Sequence, residues 1–133
     1  AAAGSAAEQH WPTALRIWEW AEPGYQETKS AKALADIAER AGFKVTRGVA
    51  GIPTAFVAEF GTGGPVIAVL GEYDALPELS QTADPVRTVR PGGNGYGHAC
   101  GHHVFGVASL AAALAIADEI RAGRLRGTVR FYG

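Results

Sequence analysis

The residues best equipped for chemistry crowd into one stretch, Gly97-His98-Ala99-Cys100-Gly101-His102-His103, which holds three of the four histidines and the single cysteine. Thiolate and imidazole are the protein ligands suited to a borderline-soft divalent ion, so this stretch is a candidate metal site. On an extended backbone alternate side chains share a face, so His98, Cys100 and His102 could converge while Ala99, Gly101 and His103 point away. The ordinary alternative is a small buried cysteine beside hydrogen-bonded loop histidines, and spacing alone does not exclude it. A second stretch favours the site. Gly71-Glu72-Tyr73-Asp74-Ala75-Leu76-Pro77 puts Glu72 and Asp74 just past the apolar run Val66-Ile67-Ala68-Val69-Leu70, which reads as a buried strand. In open α/β sheets, ligands bind at the carboxyl ends of strands.

The elements that must position these residues follow from periodicity. Trp11, Ala14, Leu15, Ile17 and Trp18 recur at helical spacing, predicting an amphipathic helix over 6–21 that stops before Pro23-Gly24. A second helix is expected over 27–41, with Leu34, Ile37, Ala38 and Ala41 on one face and Gly42 just past its end. Segments 43–49 and 54–60 read as strands, with a turn at Gly51-Ile52-Pro53 between them. The glycines at 61–64 read as a hairpin connection, since they lack both the dinucleotide and the phosphate-loop spacings. A strand over 65–72 follows, then a long loop over 77–96 with few apolar anchors. The alanine-rich helix over 104–122 is apolar on more than one face and is expected to be buried, and a last strand covers 128–132. The order is ααβββαβ, an α/β pattern. The crossover through the last helix should be right-handed and leave strands 65–72 and 128–132 parallel.

Composition narrows the function classes. The 133 residues suit one domain, and 47% hydrophobic residues with 18 glycines and no methionine mark a globular chain. A formal net charge of −1 gives no electrostatic case for a nucleic-acid partner or an anionic membrane. One cysteine allows no internal disulfide, which favours a reducing, cytoplasmic setting. The start Ala1-Ala2-Ala3-Gly4-Ser5 lacks the charged segment of a secretory leader, and no apolar run is expected to approach the roughly 18 residues of a membrane span.

Two separated motifs in this order resemble a known family. Gly-Glu-Tyr-Asp-Ala-Leu-Pro at 71–77 followed by Gly-His-Ala-Cys-Gly-His at 97–102 resembles the amidohydrolase branch of the aminoacylase and glutamate-carboxypeptidase metallopeptidases. That branch includes p-aminobenzoyl-glutamate hydrolases and indole-acetyl-amino-acid hydrolases. Trp20-Ala21-Glu22-Pro23-Gly24-Tyr25-Gln26-Glu27, Gly51-Ile52-Pro53-Thr54-Ala55-Phe56 and Leu79-Ser80-Gln81 are similar to the same enzymes, the last two to the p-aminobenzoyl-glutamate type in particular, so the likeness covers nearly the whole chain.

The resemblance implies part of a phosphorylase/hydrolase-like three-layer α/β/α catalytic domain with a mixed sheet. Residues 1–133 would be its N-terminal part, without the C-terminal part or the lid and dimerisation domain. It implies two divalent metals per complete site, Mn2+ or Zn2+, with Cys100 and His102 as ligands and Asp74 as the carboxylate beside the metals, orienting His102. Glu72, His98 and His103 are further candidates. Glu72 falls where distant relatives carry a metal-binding histidine, and His103 stands where many relatives have Asp or Asn. The implied substrate is an N-acyl amino acid or a dipeptide-like amide, and the implied full-length assembly is a homodimer. The family's Pro-Ala-Glu-Glu stretch, which supplies the general base and a bridging ligand, is not in this chain, so the chain alone is expected to be inactive. The competing class is a small α/β binding module with a non-catalytic His/Cys loop. It is disfavoured because a structural ion wants four ligands, and His98, Cys100, His102 and His103 cannot all reach one ion from so short a loop.

Overall fold

The computed structural model describes residues 2–133; Ala1, the first residue of the stretch considered above as a leader, lies outside them. Helix α1 (Ala2–Trp20) and helix α2 (Thr28–Arg40) precede the hairpin strands β1 (Lys44–Arg47) and β2 (Phe56–Thr62). Strand β3 (Val66–Leu70) follows, then the two-residue strands β4 (Leu76–Pro77) and β5 (Tyr96–Gly97), helix α3 (His102–Arg121) and strand β6 (Gly127–Tyr132). The main sheet runs β1-β2-β6-β3 and is mixed, with β6 antiparallel to β2 and parallel to β3. The parallel pair joined through α3 is the crossover unit that the order of elements predicts.

Alternation along the strands sorts the sheet into two faces. Val45, Ala58 and Phe131 stand opposite one another across β1, β2 and β6, and with Phe56 and Val129 they face the helices. Ala14 and Ile17 of α1, Leu34, Ala35 and Ala38 of α2, and Val107, Leu110, Ala113 and Ala117 of α3 close the same core. Burying each large side chain of this set, such as Leu34, Leu110 or Phe131, stabilises the fold by about 1.5–3 kcal/mol. The opposite face carries the Glu59–Arg130 ion pair, and the second helical layer of a three-layer domain has no helix among the described residues. Helix α2 begins with Glu27 as its N-cap residue but is capped from a distance. Glu22 accepts the N–H groups of Lys29 at 3.0 Å and Ser30 at 2.9 Å, together with the Ser30 hydroxyl at 2.8 Å.

Three expectations change. The turn at 61–64 does not close a hairpin, because β6 inserts between β2 and β3 and takes the hydrogen bonds of both. Strand β3 is not buried. It is an edge strand whose Val66, Ile67 and Leu70 are all at least half exposed, since only β6 pairs with it. The loop after β3, expected to have few apolar anchors, is held by polar groups. The β4–β5 ladder closes its base, Asn94 donates to the carbonyls of Trp20 and Ala21, and the Arg90 guanidinium lies over Trp18 while donating to the Glu19 carbonyl. Finally, α3 starts two residues earlier than expected and buries one face only. By length and composition alone it could cross a membrane, but it is packed here against α1, α2, β3 and β6, and 28% of its most apolar window is buried.

Candidate metal centre

The site is assembled where β3 ends and α3 begins. The Gly71 N–H donates to the Tyr132 carbonyl at 2.9 Å, carrying the parallel ladder one residue past β3 before the chain leaves the sheet. Alternation then turns Tyr73 into the core, where its hydroxyl donates to the Thr54 carbonyl at 2.7 Å, and turns Glu72 and Asp74 the other way. Burial, and after it the Glu27 carboxylate, pushes the Tyr73 phenol well above its ordinary pKa. Thr54 is in turn held by its own hydroxyl donating to Glu27 at 2.7 Å. The Ala75 N–H donates to the Glu22 carbonyl at 2.8 Å, so the residues on both sides of Asp74 are pinned.

Helix α3 closes the site because Gly106 lets it approach. A Cβ at Gly106 would lie 2.7 Å from the Glu72 carbonyl oxygen, so only glycine permits this packing. His102 precedes Gly106 by one helical turn on the same face, and the close approach sets its ring between the two carboxylates. Its Nδ1 lies 2.7 Å from Asp74 Oδ1 and its Nε2 lies 3.0 Å from Glu72 Oε2. The ligand atoms of Glu72, Asp74 and His102 all fall within 4.8 Å of one another, with Glu72 exposed and the other two partly buried. Glu72 and Asp74 also line a cleft at the carboxyl ends of β3 and β6, shared with Tyr25, Glu27 and Thr54.

This donor set fits a divalent cation. A neutral imidazole has one N–H, so it can donate to one carboxylate only; the other ring nitrogen then turns a lone pair towards the second carboxylate. For a neutral ring, a cation between that lone pair and the carboxylate removes the conflict; a second ring proton does the same for an imidazolium. With Asp74 accepting from Nδ1–H, Nε2 is left to ligate beside Glu72, the arrangement in which a carboxylate orients a metal-binding histidine.

The rest of the cluster does not share one face. Gly101 has φ +82° and α3 begins at the next residue, so the two-residue alternation expected through His98, Cys100 and His102 stops there. His98 points inward. Its Nε2–H donates to the Ile17 carbonyl at 3.1 Å, and its ring packs 5.0 Å from that of His103, whose Nδ1 like its own is buried without a protein partner among the described residues. Burial first, and the neighbouring His103 second, lowers the His98 pKa to about 4, and burial lowers that of His103 as well. Cys100 is exposed on the turn before α3, outside the group formed by Glu72, Asp74 and His102. Gly106, Glu22 and Thr54 support the site; Glu22 and Thr54 fall in the stretches 20–27 and 51–56 that share the family likeness, whereas Gly106 carries no motif of its own in the sequence. A lone glycine one turn past a histidine in an alanine-rich helix is the only local signal.

A mixed α/β sheet thus gathers two carboxylates and an imidazole at the carboxyl ends of two parallel strands, the place where open α/β sheets bind ligands. No protein-family model matches the sequence. The chain is 51% identical over 120 residues to one of the subunits of the p-aminobenzoyl-glutamate hydrolase of Escherichia coli (strain K12), covering 89% of this chain and 24% of that protein. It is 34% identical over 117 residues to N-acetylcysteine deacetylase of Bacillus subtilis (strain 168), covering 86% of this chain and 29% of that one. The fold matches a dinuclear metal-binding peptidase of the M20 family from Bacillus subtilis with a TM-score of 0.79 and 28% identity, over 97% of this chain and 35% of that chain. Over nearly its whole length the chain is thus similar to part of a p-aminobenzoyl-glutamate hydrolase subunit and of an M20-family dinuclear peptidase. It spans about a quarter of the length of the curated relatives it matches.

Proposed function

We propose that this chain supplies part of a dinuclear-metal site in a cytoplasmic amidohydrolase that cuts the amide bond of N-acyl amino acids of the p-aminobenzoyl-glutamate kind. The observation that carries the reading is His102 held between Asp74 and Glu72. Supporting it are the 51% identity to a p-aminobenzoyl-glutamate hydrolase subunit and the likeness to a dinuclear peptidase. In this reading His102, Cys100 and Glu72 hold the divalent ions, Mn2+ or Zn2+, and the whole protein works as a homodimer. Such ions polarise a scissile carbonyl and lower the pKa of a bound water. Asp74 keeps the His102 ring in one tautomer and one orientation, so that Nε2 faces Glu72, itself a residue of the cleft wall. Tyr73, buried and bonded to Thr54, fixes the backbone from which Glu72 and Asp74 project.

The 133 residues offer Cys100, His102 and Glu72 as ligands and no carboxylate assigned as general base, so they bind metal weakly and turn over nothing. The test has two parts. Calorimetric titration of the chain with Mn2+ and Zn2+ should give weak binding that His102→Ala removes, and assays on p-aminobenzoyl-glutamate should give no turnover. The whole protein should hydrolyse it in a metal-dependent way. Metal-independent turnover by the whole protein contradicts the reading, and metal-dependent turnover by the isolated chain contradicts the assignment of a partial site.

A further inference from the structure

Tyr25 occupies a backbone position that ordinarily belongs to glycine. It is the third residue of a tight turn closed by the Gln26 N–H donating to the Pro23 carbonyl at 3.0 Å, and its φ is +65°. Turns with a positive φ at that place take glycine or asparagine there. Here a glycine, Gly24, stands one residue too early to relieve it. The ring packs little against the fold in return, since Tyr25 is 75% exposed. A bulky side chain held in a sparsely populated conformation with little packing in exchange is a mark of function.

Its placement says which function. Pro23 forms a parallel bridge with Ala75, and the Glu22 carbonyl accepts the Ala75 N–H, so the turn is fastened to the residue after Asp74. Tyr25 thereby lines the cleft that Glu72 and Asp74 also line. An exposed aromatic ring on a rigid turn beside a reaction centre offers a flat apolar face and a polar tip at small entropic loss.

We propose that Tyr25 is a specificity-determining residue: its ring forms a wall of the cleft and stacks on a planar aromatic acyl group, so that N-aroyl amino acids are preferred over N-alkanoyl ones. This rests on the amidohydrolase reading above. The test compares wild type, Tyr25→Phe and Tyr25→Gly of the whole metal-loaded protein on N-benzoyl-glutamate and N-acetyl-glutamate, alongside metal content and melting temperature. Tyr25→Gly should raise KM for the benzoyl substrate about three- to tenfold, several times more than for the acetyl substrate and with a smaller change in kcat. Tyr25→Phe should keep most of the preference. The melting temperature of Tyr25→Gly should hold or rise, because the strained φ is relieved. Equal KM changes on both substrates, or a lower melting temperature with the preference intact, overturn the assignment of Tyr25 alone. A metal-loaded wild type that cleaves neither substrate overturns the hydrolase reading, and this inference with it.

Discussion

His102 concentrates the chemistry because its two nitrogens have different tasks. Asp74 sits 2.7 Å from Nδ1 and orients the ring, whereas Nε2 faces Glu72 at 3.0 Å, where an ion can stand in place of a ring proton. Asp74→Asn keeps the size but weakens the acceptor, and should lower metal affinity about 10- to 100-fold by calorimetry with little change in melting temperature. An unchanged affinity would show that Asp74 does not tune His102 as a ligand. Both motifs are legible from residue types: Glu72 and Asp74 past an apolar strand, and His102 in a run of ligands. The inward turn of His98 is not, because it depends on the Ile17 carbonyl, 81 positions away. That burial also sets a pH dependence. His98 has its pKa lowered to about 4, and those of His103 and His10 are lowered too, so the folded state resists protons that the unfolded state accepts near pH 6.5. Their contribution is complete above pH 6.5 and is lost as the pH falls from there towards 4. Melting temperatures of the chelator-treated chain should therefore fall between about pH 7 and pH 4.5, and a flat profile would contradict neutral buried imidazoles.

At the scale of elements, the site depends on how closely one helix approaches one strand end. Gly106→Ala puts a methyl group against the Glu72 carbonyl oxygen, 2.7 Å from the new Cβ, so α3 must shift. The loss should be about 1–3 kcal/mol of stability by chemical denaturation, with a further drop in metal binding as His102 leaves the carboxylates. If stability and affinity both stay at wild-type values, the close approach is not what positions His102. The crossover from β3 through α3 to β6 is readable from an apolar run, a long apolar helix and a β-branched strand. The start of α3 is not, because Gly101 looks in sequence like a hinge in an extended segment and in the fold is the residue from which the helix departs. Nor is the insertion of β6 between β2 and β3, since strand neighbours far apart in sequence are set by tertiary pairing and leave no local periodicity.

At the scale of the molecule, an unpaired edge is the feature that most affects behaviour in solution. Val66, Ile67 and Leu70 are each at least half exposed on β3, the run whose composition points to the interior. The apolar character of β3 is plain in the sequence; its place at the sheet edge is not, because strand neighbours are set by tertiary pairing. An exposed apolar edge of this kind is a template for pairing with other chains. The isolated 133 residues should therefore self-associate at micromolar concentration, and Ile67→Lys should reduce this in light scattering without lowering the melting temperature. A wild-type chain that stays monomeric at high concentration would show that the edge is protected.

The central claim is that His102, oriented by Asp74, ligates a divalent ion beside Glu72. Anomalous X-ray diffraction from crystals of the protein grown with Zn2+ tests it most directly, by locating the ion against the side chains. The account predicts an anomalous peak about 2.0–2.1 Å from His102 Nε2, with Asp74 still bonded to Nδ1. An ion bound elsewhere, with His102 keeping both carboxylate contacts at their present distances, would contradict it.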